Sequence, residues 1–118
     1  MTVTSDKLKK RTKKFVIDTI HLVDSLSSDK TTNILGKQLI RAATSVGANY
    51  RAACRARSKA DFISKITIVE EEADECQYWL ELLSELGKSN SESTQILLKE
   101  AGELTAIFTS TGKTAKRK

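Results

Sequence analysis

Two glutamates and one arginine are the side chains whose types and spacing could support acid–base chemistry. Glu72 and Glu75 lie three residues apart, so they share one face of a helix. A catalytic carboxylate also needs a cleft and a second group that titrates near neutral pH. The single histidine, His21, is distant in sequence and has no motif around it. We therefore interpret Glu72 and Glu75, together with Arg41 on the preceding helix, as an ion pair that fixes helix register, and treat catalysis as the minor alternative.

The sequence contains no motif of another kind of active site. It has no phosphate-binding glycine loop, no nucleophile elbow and no Cys/His pattern with metal-ligand spacing. Cys54 and Cys76 lack the CxxC spacing, which favours reduced thiols that fill the core over a disulfide or a metal site. We therefore predict that the protein is not an enzyme and that it uses no cofactor and no metal.

Charge is divided unevenly along the chain. Residues 1–60 hold thirteen Lys or Arg against four Asp or Glu, whereas residues 61–112 hold three against eleven. The candidate nucleic-acid-binding residues are the cations at the start of the first predicted helix and the end of the second: Lys9, Lys10, Lys13, Lys14, Arg51, Arg55, Arg57 and Lys59. Contacts from them to phosphates would depend steeply on salt and weakly on sequence, because no aromatic stacking platform or recognition helix is evident. The alternative is a solvated basic face that keeps the protein in solution.

Four helices are predicted to position these residues. The chain has no proline, and short polar clusters separate stretches whose apolar residues recur at steps of three and four. The predicted helices cover about 5–26, 32–57, 59–86 and 91–111, with a flexible basic tail at 112–118. Short loops favour an all-α, antiparallel up-down-up-down four-helix bundle, with residues 1–118 as a single domain. In that topology, the start of the first helix, the end of the second and the tail meet at one basic pole.

The sequence also sets expectations about location. No apolar run approaches the roughly 18 residues that a membrane-spanning helix needs. Residues 1–14 carry cations but lack the apolar segment of a signal peptide. We therefore expect a soluble, cytoplasmic protein that does not interact with membranes.

Three motifs in the centre of the chain resemble a known family. They are QLIRAATSVGANYR at residues 38–51, RSKADF at 57–62 and YWLELL at 78–83. The chain resembles, over about residues 5–111, the four-helix-bundle proteins encoded in 23S rRNA intervening sequences. The resemblance implies a small bacterial bundle that assembles into a ring-like homopentamer, in a family whose members mostly have no assigned activity. A related branch, the accessory variability proteins of diversity-generating retroelements, binds nucleic acid and a reverse transcriptase through a basic surface.

The resemblance also implies a role for polar and aromatic residues outside the main apolar stripes. One line runs along the second helix and another along the third, and both are expected to face another helix or another subunit. The candidate interface or register residues are Arg41, Asn49, Glu72, Glu75, Trp79 and Leu82. We expect a homo-oligomer that binds RNA or DNA. The alternative is an oligomeric scaffold that binds a protein partner and no nucleic acid.

Overall fold

Four long helices pack side by side in the computed structural model, which describes residues 3–118. No strand occurs among these residues. The all-α four-helix bundle predicted from the sequence is therefore confirmed. In chain order the helices are α1 Val3–Asp24, α2 Lys30–Ala53, α3 Lys59–Glu85 and α4 Glu92–Arg117.

Short polar residues begin three of the four helices. Asp29, Ser58 and Ser91 each adopt an extended backbone, and each side chain accepts a hydrogen bond from the backbone N–H three residues later. Ser58 and Asp61 form only half of a capping box, because the Asp61 carboxylate accepts from the N–H of Arg57 and not from that of Ser58.

Two helix ends show why the chain turns where it does. Helix α3 ends at Glu85, and Gly87, two residues later, has the φ of 71° that is typical of a left-handed helix cap, while the N–H of Lys88 donates to the carbonyl of Leu83. Helix α2 ends at Ala53, four residues before the predicted end. The N–H groups of Arg55 and Ala56 bond to carbonyls three residues back, so the chain tightens into a turn before Ser58.

The core draws buried side chains from every helix. The largest fully buried ones include Phe15 on α1, Leu39 on α2, Ile66 on α3 and Phe108 on α4. Tyr50 packs on Phe108 with ring centroids 5.1 Å apart, and burial raises the pKa of Tyr50 to about 12.

The two cysteines are free thiols, as predicted. Cys76 is fully buried in the core, and burial raises the pKa of its thiol. Cys54, the residue that follows α2, is half-buried and packs against the edge of the core. Within residues 3–118, no helix is long and apolar enough to cross a membrane.

Contacts between neighbouring helices follow a consistent order. Gly36 and Gly47 of α2 lie against Val23 and Val16 of α1, so the contact partner moves back along α1 as the chain advances along α2. A Cβ atom on Gly36 would lie 2.9 Å from Val23 Cγ1, and one on Gly47 would lie 3.0 Å from Val16 Cγ2. The small residues of α2 therefore allow α1 to approach closely.

The predicted flexible tail at residues 112–118 is wrong, because α4 continues to Arg117. Gly112, the first residue of the predicted tail, is a buried helical residue whose α-carbon faces Ile66 of α3. Phe108, Gly112 and Ala115 fall at helical spacing, so the inward stripe of α4 extends past the predicted end. The terminal cations are thereby carried on a helix.

Candidate nucleic-acid interface

Four of the predicted binding cations line one groove between α1 and α2. We call this the basic groove; its volume is about 460 Å³, and its lining residues are Lys9, Lys10, Lys13, Gly47, Ala48 and Arg51. The three lysines lie within one turn of α1, and Arg51 is one turn after Gly47 on α2. Gly47 and Ala48, which also line the groove, carry little or no side chain.

The basic groove is lined by cations and by no carboxylate. Lys9 lies 3.4 Å from Asp6, whereas Lys10, Lys13 and Arg51 are exposed and form no ion pair with a residue that the structure describes. Lys10, Lys13 and Arg51 are like charges that converge without a compensating anion, and such charges create a positive potential that attracts phosphate. The groove is therefore suited to bind an anion.

Arg55 and Arg57 line a second cavity, of about 630 Å³, together with Ala52, which directly follows Arg51 of the basic groove in the chain. Its other lining residues are Asp61 and Lys65, which form an ion pair of 2.5 Å. The hydrogen bond that Lys65 donates to Asp61 lowers the pKa of that carboxyl. Because Lys65 offsets the charge of Asp61, the two arginines leave this cavity net positive.

The eighth candidate, Lys59, lines a third cavity, between the start of α3 and the end of α4. We call this the aromatic cavity; its volume is about 510 Å³, and it is lined by Lys59, Phe62, Ser110, Thr111, Thr114, Ala115 and Lys118. Phe62 is not among the site residues predicted from the sequence. Its position three residues after Lys59 was the available signal, because residues i and i+3 share a helix face.

Lys14 does not join the basic groove. It lies on the α1–α4 side, where its ammonium is 2.5 Å from Asp18. Arg11 is also directed at α4 and donates hydrogen bonds of 2.7 Å to both oxygens of Glu100 and of 2.8 Å to Glu103. The bonds to Glu100 raise the pKa of Arg11 further. Arg11 therefore joins α1 to α4, and its charge is compensated.

The predicted ion pair between α2 and α3 forms within one chain. Arg41 Nη1 lies 3.0 Å from Glu72 Oε2, and Arg41 Nη2 contacts Glu75 Oε1. The indole N–H of Trp79 donates to Glu75 Oε1 at 2.9 Å. Partial burial opposes ionisation of Glu75, but hydrogen bonds donated by Trp79 and Arg41 outweigh it and hold the pKa of this carboxyl below its ordinary value.

The remaining candidate interface residues are less exposed than an open docking patch requires. Asn49 donates to the carbonyl and hydroxyl oxygens of Ser45, one turn earlier on α2. Trp79 and Leu82 are half-buried and pack against the core. Apolar exposure near them comes instead from Ile34 and Leu86, which are 53% and 54% exposed.

The carboxylates beside Arg41 have no histidine near them, because His21 is exposed and lines a groove between α1 and α4. Among residues 3–118, no group of three His, Cys, Asp or Glu side chains could hold a metal ion. The Arg41 cluster has the geometry of a link between helices. The basic groove is the feature whose charged groups remain available to bind a ligand.

Comparisons with known proteins give a family and a fold. One crystal structure, of a protein of unknown function from the S23 ribosomal protein family of Bacteroides thetaiotaomicron, is 32% identical to this chain with a TM-score of 0.84. The match covers 92% of this chain and 97% of that one. No significant match is found among curated proteins. The family model described as 23S rRNA-intervening sequence protein matches residues 5–110, and the chain therefore belongs to that family.

Proposed function

We propose that this protein is an accessory protein that binds nucleic acid by contacting phosphates through the basic groove. The observation that carries the proposal is the convergence of Lys9, Lys10, Lys13 and Arg51 on one groove without a carboxylate. Arg55 and Arg57, in the adjoining cavity, extend the positive surface along the same end of the bundle. A nucleic-acid backbone, with its regularly spaced phosphates, is the anion that uses such an extended surface.

Binding of this kind has a defined thermodynamic signature. Neutralised phosphates release their condensed counterions, so affinity falls steeply as salt rises. Phosphate contacts orient the protein on the nucleic acid but carry little sequence information. The names of the family and of the similar structure refer to 23S rRNA and to a ribosomal protein family, which supports RNA as the first ligand to test and DNA as the second.

The proposal also covers how the four helices are arranged and how the subunits assemble. We infer an antiparallel up-down-up-down bundle within a single domain, an inference supported by the reversed order of contacts between α1 and α2 and by shared core residues from all four helices. We also propose a ring-like homo-oligomer formed through the outer face of α2 and α3. Its support is the apolar exposure of Ile34 and Leu86 beside the Arg41 cluster. In a ring, every subunit would add one basic groove.

The test compares two variants with the same change in net charge. The first changes Lys10, Lys13 and Arg51 to Gln, and the control changes Lys30, Lys37 and Lys99, which lie outside the basic groove, to Gln. Binding to a labelled RNA hairpin and a DNA duplex is measured between about 50 and 250 mM salt. We expect the groove variant to bind more weakly and to lower the slope of log K against log salt by about 0.9 for each lost duplex contact, while the control stays close to the wild type.

Equal weakening by both variants would mean that net charge and not the groove determines affinity. A wild-type protein that assembles but binds neither probe at low salt would overturn the proposal. That result would favour the scaffold alternative, in which the exposed apolar residues of α2 and α3 bind a protein partner.

A further inference from the structure

The aromatic cavity combines groups that the basic groove lacks. Phe62 is half-buried, and the part of its side chain left uncovered lines the cavity. Lys59, one turn earlier on α3, and Lys118, the residue that follows α4, place a cation on each side of the cavity. Ala115, on the wall that α4 forms, is small and apolar.

The remaining lining residues supply hydroxyl groups, which can both donate and accept hydrogen bonds. Ser110, Thr111 and Thr114 bring three hydroxyls from consecutive turns of α4 into the cavity. The Thr111 hydroxyl donates to the carbonyl of Ile107 at 2.8 Å, which leaves its oxygen free to accept. A flat heterocycle with N–H and carbonyl edges suits an aromatic ring bordered by hydroxyls.

We propose that the aromatic cavity binds an unpaired nucleobase, so that the protein recognises single-stranded nucleic acid. This inference rests on the proposed function, because Lys59 and Lys118 contact the phosphates on either side of the base that Phe62 stacks. Bases offer their faces only when they are unpaired, since neighbouring base pairs cover them in a duplex. The cavity therefore adds a preference for single strands that the basic groove alone would not create.

The test is a double-mutant cycle between protein and ligand. Phe62 is changed to Leu, which keeps apolar packing against the core but removes the aromatic face, and to Tyr, which keeps that face. Each protein is titrated by fluorescence anisotropy with a single-stranded oligonucleotide and with an oligonucleotide of equal length and charge made of abasic sites. RNA and DNA versions of the base-containing probe show which sugar is preferred.

We expect the wild type to bind the base-containing strand about five-fold or more tightly than the abasic strand, as expected for one stacked base. Phe62→Leu should lose that difference, and Phe62→Tyr should keep it. The matched control is Tyr78→Leu, an exposed aromatic residue on the same helix about 24 Å further along its axis. This control should leave both affinities unchanged.

The outcomes separate this inference from the proposed function. Equal binding of both strands by the wild type, or the same preference in Phe62→Leu, would overturn the base site while the salt-dependent groove stands. A wild type that binds neither strand nor a duplex at low salt would overturn both. Loss of affinity for the abasic strand in Phe62→Leu would show that the substitution acts through the fold and would also count against a stacked base.

Discussion

At the scale of single residues, the contact between Arg41 and two glutamates is best understood as a link that holds α2 to α3. The Arg41 side chain is 47% exposed and Glu72 is 17% exposed, so the cluster sits at the edge of the core and water screens part of its attraction. The cluster also includes Trp79, whose indole N–H has Glu75 as its hydrogen-bond partner, so it is more than a surface ion pair. The network therefore orients an aromatic residue as well as pairing charges.

This arrangement predicts a stability effect that depends on pH. The folded protein lowers the pKa of Glu75 below its ordinary value of 4.5, so the ionised carboxylate stabilises the fold above the unfolded-state pKa. That contribution is lost as pH falls through the lowered, folded-state pKa. Glu75→Gln should cost less than about 1 kcal/mol of unfolding free energy at neutral pH, and the difference from wild type should shrink near pH 3.

Urea unfolding followed by the fluorescence of Trp79, the single tryptophan, measures this difference. The matched control is Glu81→Gln, an exposed residue of the same helix that forms no ion pair within residues 3–118. This control should differ little from the wild type at either pH. A Glu75→Gln deficit that persists unchanged in acid would show that the Glu75 charge does not stabilise the fold.

The sequence predicts some of these residue contacts and not others, for a geometric reason. Arg41 could be matched to Glu75 because helix rise fixes which levels of two adjoining helices meet. Successive helical residues point about 100° apart, so neighbouring cations face different helices. Lys10 lines the basic groove, whereas Arg11, the next residue, bonds to Glu100 of α4. Which of the two faces α4 depends on how α1 is rotated about its own axis, and that rotation is set by packing against α2 and α4 together. The pattern of charge alone carries no such information.

At the scale of helices, two glycines show how closely the elements approach one another. A methyl group on Gly36 would lie 2.9 Å from Val23 Cγ1, whereas one on Gly112 would lie 3.7 Å from Ile66 Cγ2, an ordinary contact distance. Alanine gains about 1 kcal/mol over glycine in a helix interior. At Gly36, the clash with a stiff β-branched side chain opposes that gain.

These two glycines therefore predict opposite results for the same substitution. Gly112→Ala should raise the free energy of unfolding by about 0.5–1 kcal/mol, and Gly36→Ala should lower it by about 1 kcal/mol. In a Val23→Ala background the clash is removed, so Gly36→Ala should become stabilising. Chemical denaturation of these three variants and of their two parents, the wild type and Val23→Ala, measures the sign of each effect.

The Gly112 result also tests the end of α4. Glycine often ends helices, so the sequence does not indicate that α4 continues through Gly112, and only the contact with Ile66 of α3 shows that this glycine is packed. A neutral Gly112→Ala would mean that this turn is frayed in solution. A stabilising one would mean that the helix, with its terminal cations, is formed.

At the scale of the whole molecule, the outer face of α2 and α3 and the outer face of α1 and α4 compete as surfaces for assembly. Ile34 lies two turns before Arg41 on α2, and Leu86, the C-cap of α3, lies seven residues after Trp79, so both continue the same face. Ile96, which is 60% exposed, lies on the other side of the bundle beside α1. Exposure alone does not choose between the two faces. We favour α2 and α3 because the Arg41 cluster adds polar groups beside the apolar ones, as at the rim of many interfaces.

The last prediction follows from that choice. Ile34→Glu and Leu86→Glu should each reduce the particle, measured by light scattering, from several copies towards the 13.1 kDa of one chain. Association would bury the new glutamate carboxylate without a partner, which disfavours the assembled state. Circular dichroism should report unchanged helix content, because the side chains of Ile34 and Leu86 are more than half exposed within one chain. The matched control, Ile96→Glu, should stay assembled.

Dissociation by Ile96→Glu alone would instead assign the interface to α1 and α4, and assembly of all three variants would exclude both faces.

The same variants also test whether assembly contributes to nucleic-acid binding. The proposed ring would present several basic grooves to one strand, so its avidity would exceed that of a single groove. The dissociated variants should therefore lose more affinity for a long single strand than for one that spans a single subunit, and equal losses would mean that each subunit binds independently.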